Sequence, residues 1–426
     1  MSITDSIRVP RQVEWVSTLT SVEPRWTVEP SIPVLEQLVR QRLALPTGSS
    51  CHVAFFAEGG FNKLYTVEAN GHTHLIRVAL PVEPRLKTLS EVATISFVRQ
   101  YATDLVPQVV AYGADAASPD VSFPFDWIIM EKLPGKPLEE RWDEMSYQAK
   151  ETIVSVVVNV LAKLYAHPLS GIGNIYADAN NEAPSRDVTE VGRIVSMAFF
   201  WHKHYDYDVE RGPFRCSHDW LAARLAFVLH DAKETLSTST DEDEVEEAEK
   251  SQELAIRLMT LLPTFFPPAT DTPERTVIHH DDISFHNLLV DDTSKLTGIL
   301  DWECVSALPL WKACQLPTFL NSRHRAERPD PATYSTEEDG SPSEMYTEHL
   351  REWEVTKLRA FFLAEMERVE PAWIRQHRIG QKLADFELAV SYCDDEFARW
   401  TVKRWVDGVE ENSGAEYLSL QDQLLG

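Results

Sequence analysis

Three oxygen-bearing side chains stand at intervals suited to phosphoryl transfer: Asp282, then Asn287 five residues on, then Asp301 fourteen residues after that. Such transfer needs an acceptor for the proton of an incoming hydroxyl and oxygen ligands for Mg²⁺, because its catalysis is chiefly positioning and neutralisation of charge. The string His280-Asp281-Asp282-Ile283-Ser284-Phe285-His286-Asn287 offers both from one loop. Asp282 is the carboxylate for the nucleophile, Asn287 a side-chain carbonyl for the metal, and Asp301, after the apolar run Leu296 to Leu300, the second metal ligand. Acidic residues also crowd turns because they tolerate turn conformations, which accounts for Asp291 and Asp292. An HxDxxxxN string followed by an aspartate at the end of an apolar strand is a compound pattern that turn chemistry does not explain.

Upstream residues agree with this reading in their order. Gly59 and Gly60 form a turn between two β-rich runs, where backbone can approach phosphates closely; alone, adjacent glycines simply make a hairpin. Arg77 lies on a strand-like run, and Glu91 follows fourteen residues later in a helical pattern. A surface ion pair is the ordinary explanation for such residues. Ahead of the loop, in this order, they read as a phosphate-binding cation and the carboxylate that orients it. Of His279, His280 and His286, none has the spacing of a zinc site, and loop packing accounts for all three.

The elements that must hold these groups divide the chain. From Ala54 to Ala79 short β-rich runs alternate with turns, Asn70-Gly71 being a strong hairpin signal, and three antiparallel strands are expected. A helix through Glu91, Ile95 and Val98 follows, then strands at Val109 to Tyr112 and Trp127 to Glu131. Beyond Gly135 helical periodicity dominates, as in Ile153, Val157, Val160 and Leu164. The expected fold is α+β and bilobal: a helical extension over 1–50, a sheet lobe with one helix over 51–132, and a mostly helical lobe over 133–426 with the catalytic loop at 279–303. The length, 426 residues, exceeds what one hydrophobic core fills.

Composition sets the outer bounds. Acidic residues outnumber basic ones by 67 to 40, giving a net charge of −27 that repels phosphate backbones and anionic lipid, so neither nucleic acid nor a membrane is an expected partner. Five cysteines without a CxxC pair point to a reducing compartment. No secretory or transit pattern is evident over Met1 to Val13, and the expected address is the cytoplasm.

Together these segments, with Ile129 to Gly135, Gly171 to Tyr176, Arg211 to Phe214 and Asp301 to Ser306, resemble the aminoglycoside phosphotransferase and choline kinase superfamily, in particular a branch common in fungi. The resemblance covers about Ala54 to Ala398 and implies a protein-kinase-like fold, ATP and Mg²⁺ as cofactors, and a small molecule with a hydroxyl as acceptor. By the same resemblance Met130, Glu131, Lys132 and Leu133 form the hinge that pairs with adenine, Asp282 is the base, Asn287 and Asp301 bind the metal, and His280 braces the loop. Two residues depart from it. Arg77 replaces the usual lysine, keeping the charge in a bulkier fork. Asp281 replaces a glycine and raises the pKa of Asp282 if both are desolvated. The acceptor is expected against the helical lobe, near Trp201, Tyr205 and Glu303. Two alternatives stay open: a catalytically silent binding protein of the same shape, and an enzyme using the cleft for a non-kinase reaction. The sequence does not specify an oligomeric state.

Overall fold

The structure is a computed structural model that describes residues 13–18, 22–114, 123–177, 189–268, 271–337, 340–411 and 419–425. Where a helical extension is expected, a hairpin stands first: β1 (Val13–Ser17) pairs antiparallel with β2 (Val22–Trp26), and only α1 (Ile32–Arg42) is helical. The correction has a simple cause. Val13 and Trp15 recur with a period of two, which suits a strand, and both pack on Leu80, Val82 and Phe200.

Five strands form the sheet lobe: β3 (Cys51–Glu58), β4 (Asn62–Ala69), β5 (His72–Ala79), β6 (Val109–Gly113) and β7 (Trp127–Glu131), all antiparallel in the order β3-β4-β5-β7-β6. Asn70 and Gly71 close the β4–β5 hairpin with φ of 50° and 79°, the left-handed pair such a tight turn requires. One face of the sheet buries Val53, Val67, Ile76 and Trp127 against Leu35 and Val39 of α1. Against the other lies α2 (Leu86–Arg99). Its residues Ala93, Phe97 and Val98 also enter the core of the helical lobe, so the two lobes share apolar packing.

A short crossing, β8 (Lys136–Pro137) and α3 (Leu138–Arg141), leads to α4 (Tyr147–Tyr165), whose first turn is capped by Ser146 Oγ accepting from the Ala149 amide at 3.2 Å. Small strands β9 (Leu169–Ser170), β10 (Ile175–Ala177) and β11 (Thr189–Val191) and the turn-length α5 (Met197–Phe200) precede two long helices, α6 (Ser217–Thr238) and α7 (Glu242–Phe265). The acidic run at the head of α7 is a helix start: Asp241 Oδ1 accepts from the amides of Asp243 and Glu244 at 3.0 and 3.3 Å, and acids in a first turn favour the helix dipole. Next come β12 (Arg275–His279), β13 (Leu288–Val290), β14 (Leu296–Ile299), β15 (Ser306–Pro309) and α8 (Leu310–Ala313). The chain closes with α9 (Glu344–Val369), α10 (Pro371–Tyr392), α11 (Arg399–Glu411) and α12 (Leu420–Leu425). Two three-stranded sheets, β14-β13-β8 and β15-β12-β9, frame the loop between β12 and β13. Among the described residues no helix is long and apolar enough to cross a membrane. The architecture is α+β, a small antiparallel-sheet lobe followed by a larger, mostly helical one.

Candidate active site

The loop from His280 to Asn287 is fixed by its own polar groups. His280 Nε2 lies 2.9 Å from the Leu300 carbonyl, and its Nδ1 accepts from the Asp282 amide at 3.2 Å, so the imidazole joins the loop to the end of β14. Those partners assign the proton to Nε2. The ring meets Trp302 edge-on, with centroids 4.8 Å apart. The Leu300 amide in turn donates to the Asn287 carbonyl at 2.8 Å, which sets Asp301 beside the loop.

Asn287 Nδ2 donates to Asp282 Oδ2 at 2.7 Å and to the Asp282 carbonyl at 3.0 Å. The amide thereby holds the carboxylate and keeps its own Oδ1 out of those bonds. Asp301 sits at φ 62°, a left-handed conformation that aspartate tolerates better than most residues. Burial and the nearby Glu303 carboxylate push its pKa up against the pull of Arg77, although 44% of its side chain stays exposed. Asn287 and Asp301 together offer two oxygen donors. That set fits Mg²⁺, which keeps several waters and uses one or two protein carboxylates or amides. Asp281 and Asp282 are both exposed.

Arg77 on β5 and Glu91 on α2 form the expected pair, Nη1 to Oε1 at 2.5 Å, both nearly buried. Arg77 does more than that. Its Nη1 lies 3.6 Å from Asp301 Oδ1, and its Nη2 donates to Glu303 Oε2. The same Glu303 oxygen takes Lys87 Nζ at 2.5 Å and Asn62 Nδ2 at 2.9 Å. Glu303 was expected to face the acceptor; instead it is spent on three residues of the sheet lobe, because a carboxylate buried beside two cations is stabilised only by pairing with them. Burial alone would raise its pKa, but Arg77 and Lys87 hold it down to about 2, while burial pushes Glu91 up to about 7 in spite of Arg77.

The glycine turn has open space before both Gly59 and Gly60, and the Gly59 amide donates to the Asn62 carbonyl at 2.9 Å. Met130 is paired within the sheet to Leu75 and Val109, and the Glu131 amide donates to the Gln108 carbonyl. Lys132 and Leu133 then leave the sheet, and their peptide groups make no hydrogen bond among the described residues. The Lys132 ammonium rests over Phe56, 4.6 Å from the ring centroid.

Trp201 and Tyr205 were expected beside the acceptor. The structure places them under the N-terminal hairpin, Trp201 edge-on to Trp15 at 5.1 Å and to Phe61 at 6.0 Å, and Tyr205 in the same apolar cluster, since ring packing outcompetes exposure for such side chains. Sequence reasoning missed Lys87, Asn62 and Asn174. Asn174 is fully buried; its Oδ1 accepts from the Val195 amide and Ser306 Oγ, and its Nδ2 donates to the Val305 carbonyl. The asparagine within a glycine-bounded run was the one available signal for it.

The sequence profile of the phosphotransferase enzyme family matches residues 52–311. A subtelomeric hrmA-associated cluster protein of Aspergillus fumigatus is 26% identical over 318 residues, a match spanning 65% of this chain and 62% of that relative's length. Among solved structures, aminoglycoside phosphotransferase APH(4)-Ia, as a thermostable mutant in ternary complex with ADP and hygromycin B, aligns over 90% of this chain and 99% of its own at 15% identity, with a TM-score of 0.42. The streptomycin-ATP ternary complex of APH(2″)-IIa aligns over 89% and 92% at 13% identity, also with a TM-score of 0.42.

Proposed function

Because the chain belongs to the phosphotransferase enzyme family, we propose that it transfers the γ-phosphoryl group of Mg·ATP to a hydroxyl of a small molecule. The observation that carries this reading is the bond from Asn287 Nδ2 to Asp282 Oδ2, which gives base and metal ligand one shared geometry next to Asp301. The proposed division puts the sheet lobe at 51–132, the helical lobe at 133–426 and the nucleotide between them.

Asp282 orients the acceptor hydroxyl and takes its proton as the oxygen forms its bond to phosphorus and the bridging oxygen of ADP departs. Asn287 and Asp301 would hold Mg²⁺, which supplies charge neutralisation on the phosphates. Arg77, oriented by Glu91, grips the phosphates, the turn at Gly59 and Gly60 covers them, and the segment Met130 to Leu133 receives adenine through the peptide groups of Lys132 and Leu133. Asp282→Asn should reduce turnover about a hundred- to ten-thousand-fold while leaving nucleotide affinity intact. Undiminished phosphorylation of an established acceptor by that variant would sink the assignment.

One observation favours a second reading, a binding protein without transfer: Arg77 is already engaged by the carboxylates of Glu91 and Glu303, with that of Asp301 at 3.6 Å. Thermal unfolding with Mg·ATP separates the two, since a ligand at a hundred times its Kd adds about 2.7 kcal/mol. No shift under those conditions favours the binding protein.

A further inference from the structure

Lys87 stands in the first turn of α2, four residues before Glu91, so the two side chains leave the same face of the helix one turn apart. Glu91 reaches Arg77 at 2.5 Å. Lys87, 2% exposed, instead reaches Glu303 Oε2 at 2.5 Å and Asn62 Oδ1 at 3.1 Å. Asn62 closes the figure: its Nδ2 donates to the same Glu303 oxygen at 2.9 Å, and its carbonyl accepts from the Gly59 amide at 2.9 Å. Lysine, asparagine and glutamate form a triangle that ties the head of α2 and the base of the glycine turn to the segment just after Asp301.

Arg77 joins this triangle from outside, donating Nη2 to that one oxygen as well. An ionised carboxylate offers about two lone-pair sites on each oxygen, so three donors on Oε2 are one more than it serves well. Of the three, Arg77 is the one able to leave. Its Nη1 keeps Glu91, whereas Lys87 pairs with no other acid among the described residues and Asn62 is held by both Lys87 and the glycine turn. The charge left behind decides whether it leaves. The Glu303 side chain is 10% exposed, and a carboxylate so buried is strongly destabilising once it has no cation. With Lys87 in place, departure of Arg77 leaves a neutral, hydrogen-bonded ion pair. Without Lys87, Arg77 is the only cation on Glu303 among the described residues and is detained there.

We propose that Lys87 is a positioning residue of the nucleotide site: it retains Glu303 while Arg77 exchanges that carboxylate for a phosphate oxygen of ATP. Lys87 itself touches no phosphate. Its effect on the nucleotide passes wholly through Glu303, and the glycine turn stays tied to the metal-binding segment throughout the exchange. The inference rests on the proposed placement of the phosphates at Arg77.

Calorimetric titration of the full chain with ATP in the absence of Mg²⁺, and in parallel with adenosine, tests it. Lys87→Met, which keeps the length of the stem, should weaken ATP about tenfold and leave adenosine, which has no phosphate, unchanged. In Lys87→Met combined with Glu303→Gln, ATP should bind as in Glu303→Gln alone, because no carboxylate then detains Arg77. Asn62→Ala, which leaves every charge in place, should weaken ATP in the same sense by about threefold, and Glu303→Gln should erase that loss too. Should Lys87→Met not fold, the Asn62 variants decide the question by themselves. A loss of ATP affinity that persists undiminished in the Glu303→Gln background makes the effect direct and overturns the proposal. So does an equal loss for adenosine, which would mark a residue that merely holds the fold, and so does unchanged ATP binding in the single variants. A wild-type chain that binds ATP while its variants miss this pattern fails the Lys87 role alone; a wild-type chain that binds neither ligand at millimolar concentration fails the phosphotransfer reading, and the Lys87 role with it.

Discussion

A single oxygen of Glu303 serves Asn62, Lys87 and Arg77 at once, so one carboxylate from the helical lobe holds three side chains of the sheet lobe. In the proposed reaction it also competes with phosphate oxygens for Arg77. Glu303→Gln therefore has two effects of opposite sense. Lys87, 2% exposed, loses its full counter-charge, which should lower unfolding free energy by about 3–5 kcal/mol, the range for a broken buried pair. ATP without Mg²⁺ should bind several-fold more tightly. Denaturant titration and calorimetry check the two separately, and weaker ATP binding would mean that Glu303 supports the phosphate site instead of contesting it. Arg77 and Glu91 were legible in the sequence because strand and helix periods place them. Glu303's partners were not, since Arg77 lies 226 positions away and Asn62 241, and nothing local marks a lysine as buried.

Gly135 shows how an element boundary is enforced. It sits at φ 112° where the chain passes from the sheet lobe to β8, and a Cβ there would come within 2.6 Å of Thr297 Oγ1 and 2.7 Å of the Val290 carbonyl. Thr297 Oγ1 itself donates to the Pro134 carbonyl at 2.5 Å, so the crossing is tied to β14 before Gly135 and, through β8, to β13 after it. Gly135→Ala should cost about 1–3 kcal/mol and loosen that tie, seen as faster amide exchange over 131–137 than over α4. The elements most legible in advance were those with long periods or strong turns, such as α4 and the Asn70-Gly71 hairpin. The β1–β2 hairpin was opaque for the opposite reason. Its strands are five residues each, carry Glu14, Glu23 and Arg25, and include Pro24, so their pairing depends on apolar partners distant in sequence, Leu80 and Phe200 among them.

Over the whole molecule, buried ionisable groups tie stability to pH. Glu387 folds with a pKa of about 2 against an ordinary 4.5, because Lys312 and Arg224 outweigh its burial. The stability it adds is complete above about pH 4.5 and is lost as pH falls toward 2. His279 folds with a pKa of about 4 against 6.5, so between those values the unfolded chain binds the proton that the folded one refuses, and stability declines as pH falls from 6.5 to 4. Glu91, raised to about 7, and His204, also raised, slope the other way, so the test is a difference between proteins. Subtracting the stability curve of His279→Asn from that of the wild type should leave a rise between pH 4 and 6.5, and Glu387→Gln should leave a rise below 4.5. A flat difference in either window would remove that group from the account.

The N-terminal hairpin leaves Trp15 and Trp201 with ring centroids 5.1 Å apart and sets Trp26 over the Lys63 ammonium, while Trp26 and Trp201 share a cavity with Gly59 and Gly60. Indole emission responds to nearby charge and to ring separation, so the seam between the lobes carries its own optical gauge. Mixing with Mg·ATP should change intrinsic fluorescence, and Trp201→Phe should remove most of that change, allowing nucleotide arrival to be timed in a stopped-flow instrument without any added dye.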